Sequence, residues 1–341
     1  MLASSHHGTR ARLVTRESLI FGTLAAVSAL AVTISVIASQ GYGAVLRSDG
    51  QHFYRVALDP FGDGRIFAGS DPGAGTAYRY GRILFPLAAW LLAFGQRTAV
   101  VFTLPAVYIG SILLFAVLAA ARCQRAGRAA VSGLAALLVP AAFVTVPLMV
   151  PEILIAGLVL LIYGLAETGR RNSARFVASL LLLTRETAVL ALAPLVLGDI
   201  RRRAWRDVVG WGVSVVPLIA WYGWLRVRMG AWPFLDPDVN PMERALSFPI
   251  TGFLGMAWQG GAGWPVIAAA LMGWITLIAA AGVAWRRRSP FSWAAVWMAA
   301  LVILFGPAHV ELPAEAVRLM LPAQLLTAVA ALSGPSAKED T

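Results

Sequence analysis

Asp49-Gly50-Gln51-His52-Phe53-Tyr54 places a carboxylate three residues before an imidazole, with two aromatics directly after. If that stretch is helical, Asp49 and His52 share a face. A carboxylate so placed can take a proton from a hydroxyl, the work of a general base. It is equally suited to N-cap a short helix, and a cap and a base are compatible roles. His52 either tunes Asp49, binds substrate or serves structure. A second set of ionisable groups has the forks that hold phosphate: Arg79, Arg82, Arg185 and Arg318 are the cations whose guanidiniums would match paired oxygens. Glu152 follows Pro147 and Pro151 between two apolar runs, and Arg185-Glu186 interrupts another. Ionisable groups inside apolar segments are costly, so they are functional candidates by default. Arg185 and Glu186 could also form a self-neutralising pair at a helix break. Asp59-Pro60, Gly62-Asp63-Gly64 and Asp71-Pro72-Gly73 are turn chemistry.

The elements that must position these groups are membrane helices. Hydrophobic residues make up 59% of the 341 and charged residues 13%, with a mean hydropathy of +0.73. Globular domains carry about 25% charged residues, so the composition describes an all-α polytopic membrane protein forming a single integral membrane domain over 1–341. Ser18 to Ala38 is an uncharged run of 21 residues, enough for a hydrocarbon core of roughly 30 Å. It follows three arginines but exceeds the roughly 7–15 residues of a cleavable signal core, so it reads as an uncleaved anchor.

The net charge of +11 resolves into clusters at Arg122/Arg125/Arg128, Arg170/Arg171/Arg175, Arg201/Arg202/Arg203/Arg206 and Arg286/Arg287/Arg288, each flanking an apolar run. That pattern is the positive-inside bias of cytoplasmic loops. With the N-terminal arginines and Lys338 it accounts for the whole surplus, so the charge orients the protein and gives no reason to expect a nucleic-acid partner. Both termini are then expected in the cytoplasm. The arginine- and alanine-rich composition, with one lysine, points to a bacterial inner (cytoplasmic) membrane. Residues 39–98 and 226–264 become external loops. Ile83 to Gly95 is too short to span and reads as an interfacial helix, with Tyr78, Tyr80 and Trp90 as belt aromatics. Phe176 to Gly198 has arginines at both ends, so it reads as a hairpin of half-length helices with Thr184-Arg185-Glu186 at its apex. Further spans fall near 99–121, 129–150, 151–168, 208–225, 265–285, 291–306 and 317–333, giving about ten transmembrane or half-spanning helices.

Several chemistries lack their motifs. No dinucleotide fingerprint or phosphate-binding loop is present, no His/Cys group has zinc spacing, and Cys123 stands alone. No cofactor is called for. A divalent cation would find carboxylates only at Asp236-Pro237-Asp238, which reads more simply as a proline-punctuated loop.

Ser48-Asp49-Gly50-Gln51-His52-Phe53-Tyr54, Ala57-Leu58-Asp59-Pro60-Phe61 and Tyr78-Arg79-Tyr80-Gly81-Arg82-Ile83-Leu84-Phe85-Pro86 together resemble the first external loop of GT-C glycosyltransferases. Val150-Pro151-Glu152-Ile153-Leu154 is similar to that superfamily's second acidic loop, Leu183-Thr184-Arg185-Glu186-Thr187 to its short-helix break, and Val317-Arg318-Leu319 to the basic start of a late span. The resemblance implies a hexosyl- or pentosyltransferase, similar to mannosyl- and arabinosyltransferases. It implies a polyprenyl-phosphate-linked sugar donor and a glycan, lipid or protein acceptor, met at the outer face among membrane lipids. Asp49 would be the base, with His52, Tyr54, Arg79, Arg82, Glu152, Arg185, Glu186 and Arg318 binding substrate. Tyr54, Tyr80 and Trp232 could stack on sugar faces. Two other classes are compatible with the chain. A transporter or flippase of a lipid-linked sugar would need a polar path through the bilayer, and an assembly protein would tolerate Asp49→Asn.

Overall fold

A computed structural model describes residues 13–46, 49–62, 76–145, 148–234, 264–303 and 317–334. Helix is the only regular structure among them, as expected where backbone groups must be satisfied without water. Helix α1 is Arg16–Gln40, α2 Gly50–Leu58, α3 Thr76–Tyr80, α4 Leu84–Leu92, α5 Val100–Arg125, α6 Val131–Leu134, α7 Pro140–Thr145, α8 Glu152–Glu167 and α9 Arg171–Thr184. After a 3₁₀ segment, Glu186–Leu192, come α10 Ala193–Arg201, α11 Trp205–Val213, α12 Val216–Met229, α13 Trp264–Arg287, α14 Pro290–Ile303 and α15 Leu321–Leu332.

Among the described residues, four stretches are long and apolar enough to cross a membrane: Arg16–Gln40, Arg97–Arg125, Trp205–Met229 and Ile267–Arg287. The chain is therefore a helical membrane protein. The other helices are shorter; α8 has 16 residues and α9 has 14, or about 24 and 21 Å at the helical rise. The expected span over 129–150 is not one helix. It breaks into α6, a 3₁₀ turn over Ala135–Leu138 and α7. Gly133 explains part of this, because a Cβ there would fall inside the backbone of Ala119 and Ala120 on α5. A glycine at a close helix crossing lets the backbones approach, and Pro140 restarts the helix at a position where no donor is needed.

Thr15 caps α1 and Ser18 bonds back to it. Thr15 also donates to Gln124, whose amide reaches Glu17, so α1 starts where α5 ends. Arg122 and Arg125 at that end of α5 both pair with Glu167, the last residue of α8. Arg171 at the start of α9 pairs with Asp199 near the end of α10 at 3.3 Å. A straight helix would set these two about 42 Å apart. The chain therefore turns back between them, at Arg185, whose extended backbone (φ −163°, ψ 121°) ends α9. The hairpin expected around Thr184-Arg185-Glu186 is thus formed. Between the two ends lies a continuous apolar core of Ala, Leu, Ile, Phe and Tyr side chains from α2, α4, α5, α8, α9, α14 and α15.

Candidate functional site

Five separated pieces of chain meet at the end opposite Glu167. A backbone bond from Met149 to the Val45 carbonyl (3.1 Å) ties the segment before Asp49 to the segment before Glu152. Gly50 leaves room for this, since a Cβ there would sit 3.3 Å from the Val45 carbonyl oxygen. Phe53 and Phe85 pack edge-to-face with centroids 5.7 Å apart, fixing α2 on α4. The Tyr80 hydroxyl donates to the Asp59 carbonyl, and the Trp221 indole donates to the Tyr80 carbonyl. Those two bonds hold α3, and with it Arg79 and Arg82, between α2 and α12.

Asp49 is the hub. Its carboxylate accepts from Arg318 at 2.8 Å, with Arg79 at 3.7 Å and Arg82 at 3.9 Å. It occupies the N-cap position of α2, yet its side chain makes no capping bond; its backbone carbonyl accepts from His52 and Phe53 instead. The cap is left to the main chain, and the carboxylate is free to face the arginines. Arg318 also reaches Glu152 at 3.4 Å, and Arg185 reaches the same Glu152 oxygen at 3.4 Å. The Glu152 side chain is 2% exposed and that of Arg318 is 3% exposed. Arg82 lies 3.9 Å from Glu186, stacks over the Tyr78 ring and bonds its hydroxyl. Tyr222 hydrogen-bonds Glu186.

Three carboxylates and four guanidiniums thus form one network with a surplus positive charge. Arg185 and Glu186 do not neutralise each other; the extended backbone at Arg185 sends neighbouring side chains to different partners. Glu152, expected between two apolar runs, is the first residue of α8 and is buried. Glu152 Oε2, Arg82 Nε and Thr187 Oγ1 are buried without a hydrogen-bond partner. Buried polar atoms normally find one, so these keep hydrogen-bonding capacity open to water or a polar ligand.

Burial by itself would raise the Asp49 carboxyl. The Arg318, Arg82 and Arg79 guanidiniums outweigh it and hold the group well below the usual carboxylate range. Asp49 is therefore fully ionised at neutral pH.

Not every expected residue joins the network. Tyr54 is half-buried and packs edge-on against Tyr42, centroids 6.1 Å apart. Tyr80 is wholly buried, so it is a structural tie and not a belt aromatic or a sugar platform. His52 lies on the first turn of α2, half-buried. Trp232 remains exposed and stacks on Phe234, which in turn packs on Tyr222. Asp59 is taken by a turn and by Arg97. Arg47, Asp63, Asp71, Asp236, Asp238, Glu311 and Glu315 lie outside the described residues. Among the described residues no group of three or more His, Cys, Asp or Glu could hold a metal ion.

Tyr222 went unnoticed in the sequence, because it sits in an apolar run with no spacing to single it out, and Thr187 entered only as the last residue of the short-helix break. Comparison of the chain with family models, with curated proteins and with solved structures finds no match.

Proposed function

We propose that the chain is a GT-C-type membrane glycosyltransferase, moving a hexose or pentose from a polyprenyl-phosphate donor to a glycan, lipid or protein acceptor. The observation that carries this is the convergence of Asp49 with Arg79, Arg82 and Arg318 from distant parts of the chain. In the proposed step the acceptor oxygen bonds to the anomeric carbon as the carbon–oxygen bond to phosphate breaks. The phosphate leaves with the bonding electrons, and the acceptor proton passes to Asp49. A carboxylate held this low is a poor base while the arginines bind it, since a base works best near the operating pH. A donor phosphate would draw Arg318, Arg82 and Arg79 to itself, and the Asp49 carboxyl would rise into range. Arginine pairs match phosphate oxygens bidentately, and Arg82 Nε, which makes no hydrogen bond and lies 3.9 Å from Glu186, offers a further donor. Trp232, exposed and stacked on Phe234, would offer its free face to a sugar.

Ten crossings, cytoplasmic termini and a site at the outer face of a bacterial inner membrane belong to the same proposal. The arginine clusters at the Glu167 pole support the orientation. A flippase is less well supported, because the polar groups between the poles bond to one another or to backbone. Tyr108 donates to the Thr145 carbonyl, and Gln324 bonds Thr276 and the Ala141 amide.

The test is transfer of labelled sugar from polyprenyl phosphate to acceptor by purified protein. Asp49→Asn is isosteric and should lower the rate by about 10²–10⁴-fold, the usual worth of a general base. Wild-type rate in the variant refutes the assignment.

A further inference from the structure

A second set of guanidiniums, at the opposite pole, encloses a cavity of about 340 Å³. Its walls include Arg122, Arg125, Glu167, Arg287, Ser289 and Phe291. We propose that this cavity binds a phosphate group, carried by an anionic membrane lipid or free in solution, separately from the chemistry at Asp49.

Charge comes first. Glu167 is the cavity's acid, and it is shared by Arg122 and Arg125. Arg287 spends one nitrogen on the Ala331 carbonyl and has another 3.9 Å from where a Gly334 side chain would begin; Arg128 Nε is 3.8 Å from the same point. Three guanidiniums and one carboxylate therefore line the cavity, with Arg128 at its Gly334 edge. The other described acids of this pole are engaged elsewhere: Glu17 by Gln124, and Asp199 and Asp207 by Arg171, Arg175 and Arg202.

Geometry comes second. The Arg122 guanidinium is stacked 3.9 Å above the Phe291 ring, its side chain 12% exposed. Its Nε is buried without a hydrogen-bond partner although both terminal nitrogens reach Glu167. The cavity wall also includes the N-terminus of α14, a helix of 14 residues capped by Ser289, whose hydroxyl accepts from the Ser292 amide. A helix N-terminus carries partial positive charge and favours anions. Gly334, just beyond α15, has a left-handed backbone (φ +68°) and contributes no side chain to the cavity wall. A positive-inside bias needs only a count of charges on one side; it does not require them to converge on a cavity. Basic pockets between membrane helices are sites for phosphate head groups.

Purified full-length protein in detergent would be titrated with short-chain phosphatidylglycerol, with phosphatidylcholine of equal chain length and with inorganic phosphate. Bound mass is read by native mass spectrometry and protection by the thermal midpoint. Two variants are compared, Arg125→Gln/Arg287→Gln and Ser289→Asp. The second keeps the helix cap, since Asp caps as well as Ser, and sets a negative charge at the cavity. Each should bind phosphatidylglycerol about tenfold more weakly, the worth of one charged hydrogen bond. Protection by inorganic phosphate alone, lost in both variants, would assign the cavity to the soluble anion. Equal binding of phosphatidylcholine, or wild-type binding in Ser289→Asp, would overturn the site.

Discussion

Asp49 and Glu152 depend on the same cation. Arg318 sits between them almost without exposure, so its removal loosens both, leaving Glu152 to Arg185 and Asp49 to the longer contacts with Arg79 and Arg82. Breaking a buried pair by deleting one partner costs about 3–5 kcal/mol. Arg318→Ala should therefore lower the thermal midpoint and abolish transfer, while Arg318→Lys recovers part of the stability but little activity, because one ammonium cannot replace a fork. Equal activity of the lysine variant would show that charge alone suffices. The depressed Asp49 carboxyl sets a second expectation. Its folded value lies below the unfolded value of about 3.9, so its stabilisation is complete above about pH 4 and is lost as pH falls through the folded value. The midpoint gap between wild type and Asp49→Asn should stay constant from pH 8 to 5 and narrow only below about pH 4. Closure of the gap between pH 7 and 5 would show that the arginines do not hold the group low. Which residues gather into the network was legible in the sequence, because charges are scarce in an apolar chain and each one needs a reason. Which residue pairs with which was not. Arg185 and Glu186 are neighbours in sequence, yet one turns to Glu152 and the other toward Arg82.

At the scale of elements, the clearest sequence signal was a hairpin inferred from arginines at both ends of one apolar run. The Arg171–Asp199 pair places those ends together. In a Cys123→Ser background, single cysteines at Asn172 and Arg202 should react with an impermeant thiol reagent from the same side of the membrane. Labelling from opposite sides would mean a single span. The stretch over 129–150 shows where hydropathy loses its grip. It counts apolar residues and is blind to a glycine pressed against α5, or to a proline that restarts a helix. The same blindness hid the close approach at Gly81, where a Cβ would meet Pro233 at 3.3 Å and the Tyr222 hydroxyl at 3.4 Å. Contacts between residues 140 or more apart leave no local pattern.

Across the whole molecule the charges separate into two poles with an apolar body between them. One pole gathers Glu17, Arg122, Arg125, Glu167, Arg171, Asp199 and Arg287, and the other gathers Asp49, Arg79, Arg82, Glu152, Arg185, Glu186 and Arg318. The first pole carries the surplus that orients a membrane protein, and the second carries a nearly balanced network that can exchange partners with a ligand. This division of labour makes the central claim testable in cells. Envelope glycans and glycolipids would be analysed by mass spectrometry in a deletion strain complemented with wild type or Asp49→Asn at matched membrane levels. A sugar missing from the deletion strain and restored only by wild type is the predicted result. Full restoration by Asp49→Asn would contradict glycosyl transfer with Asp49 at its centre.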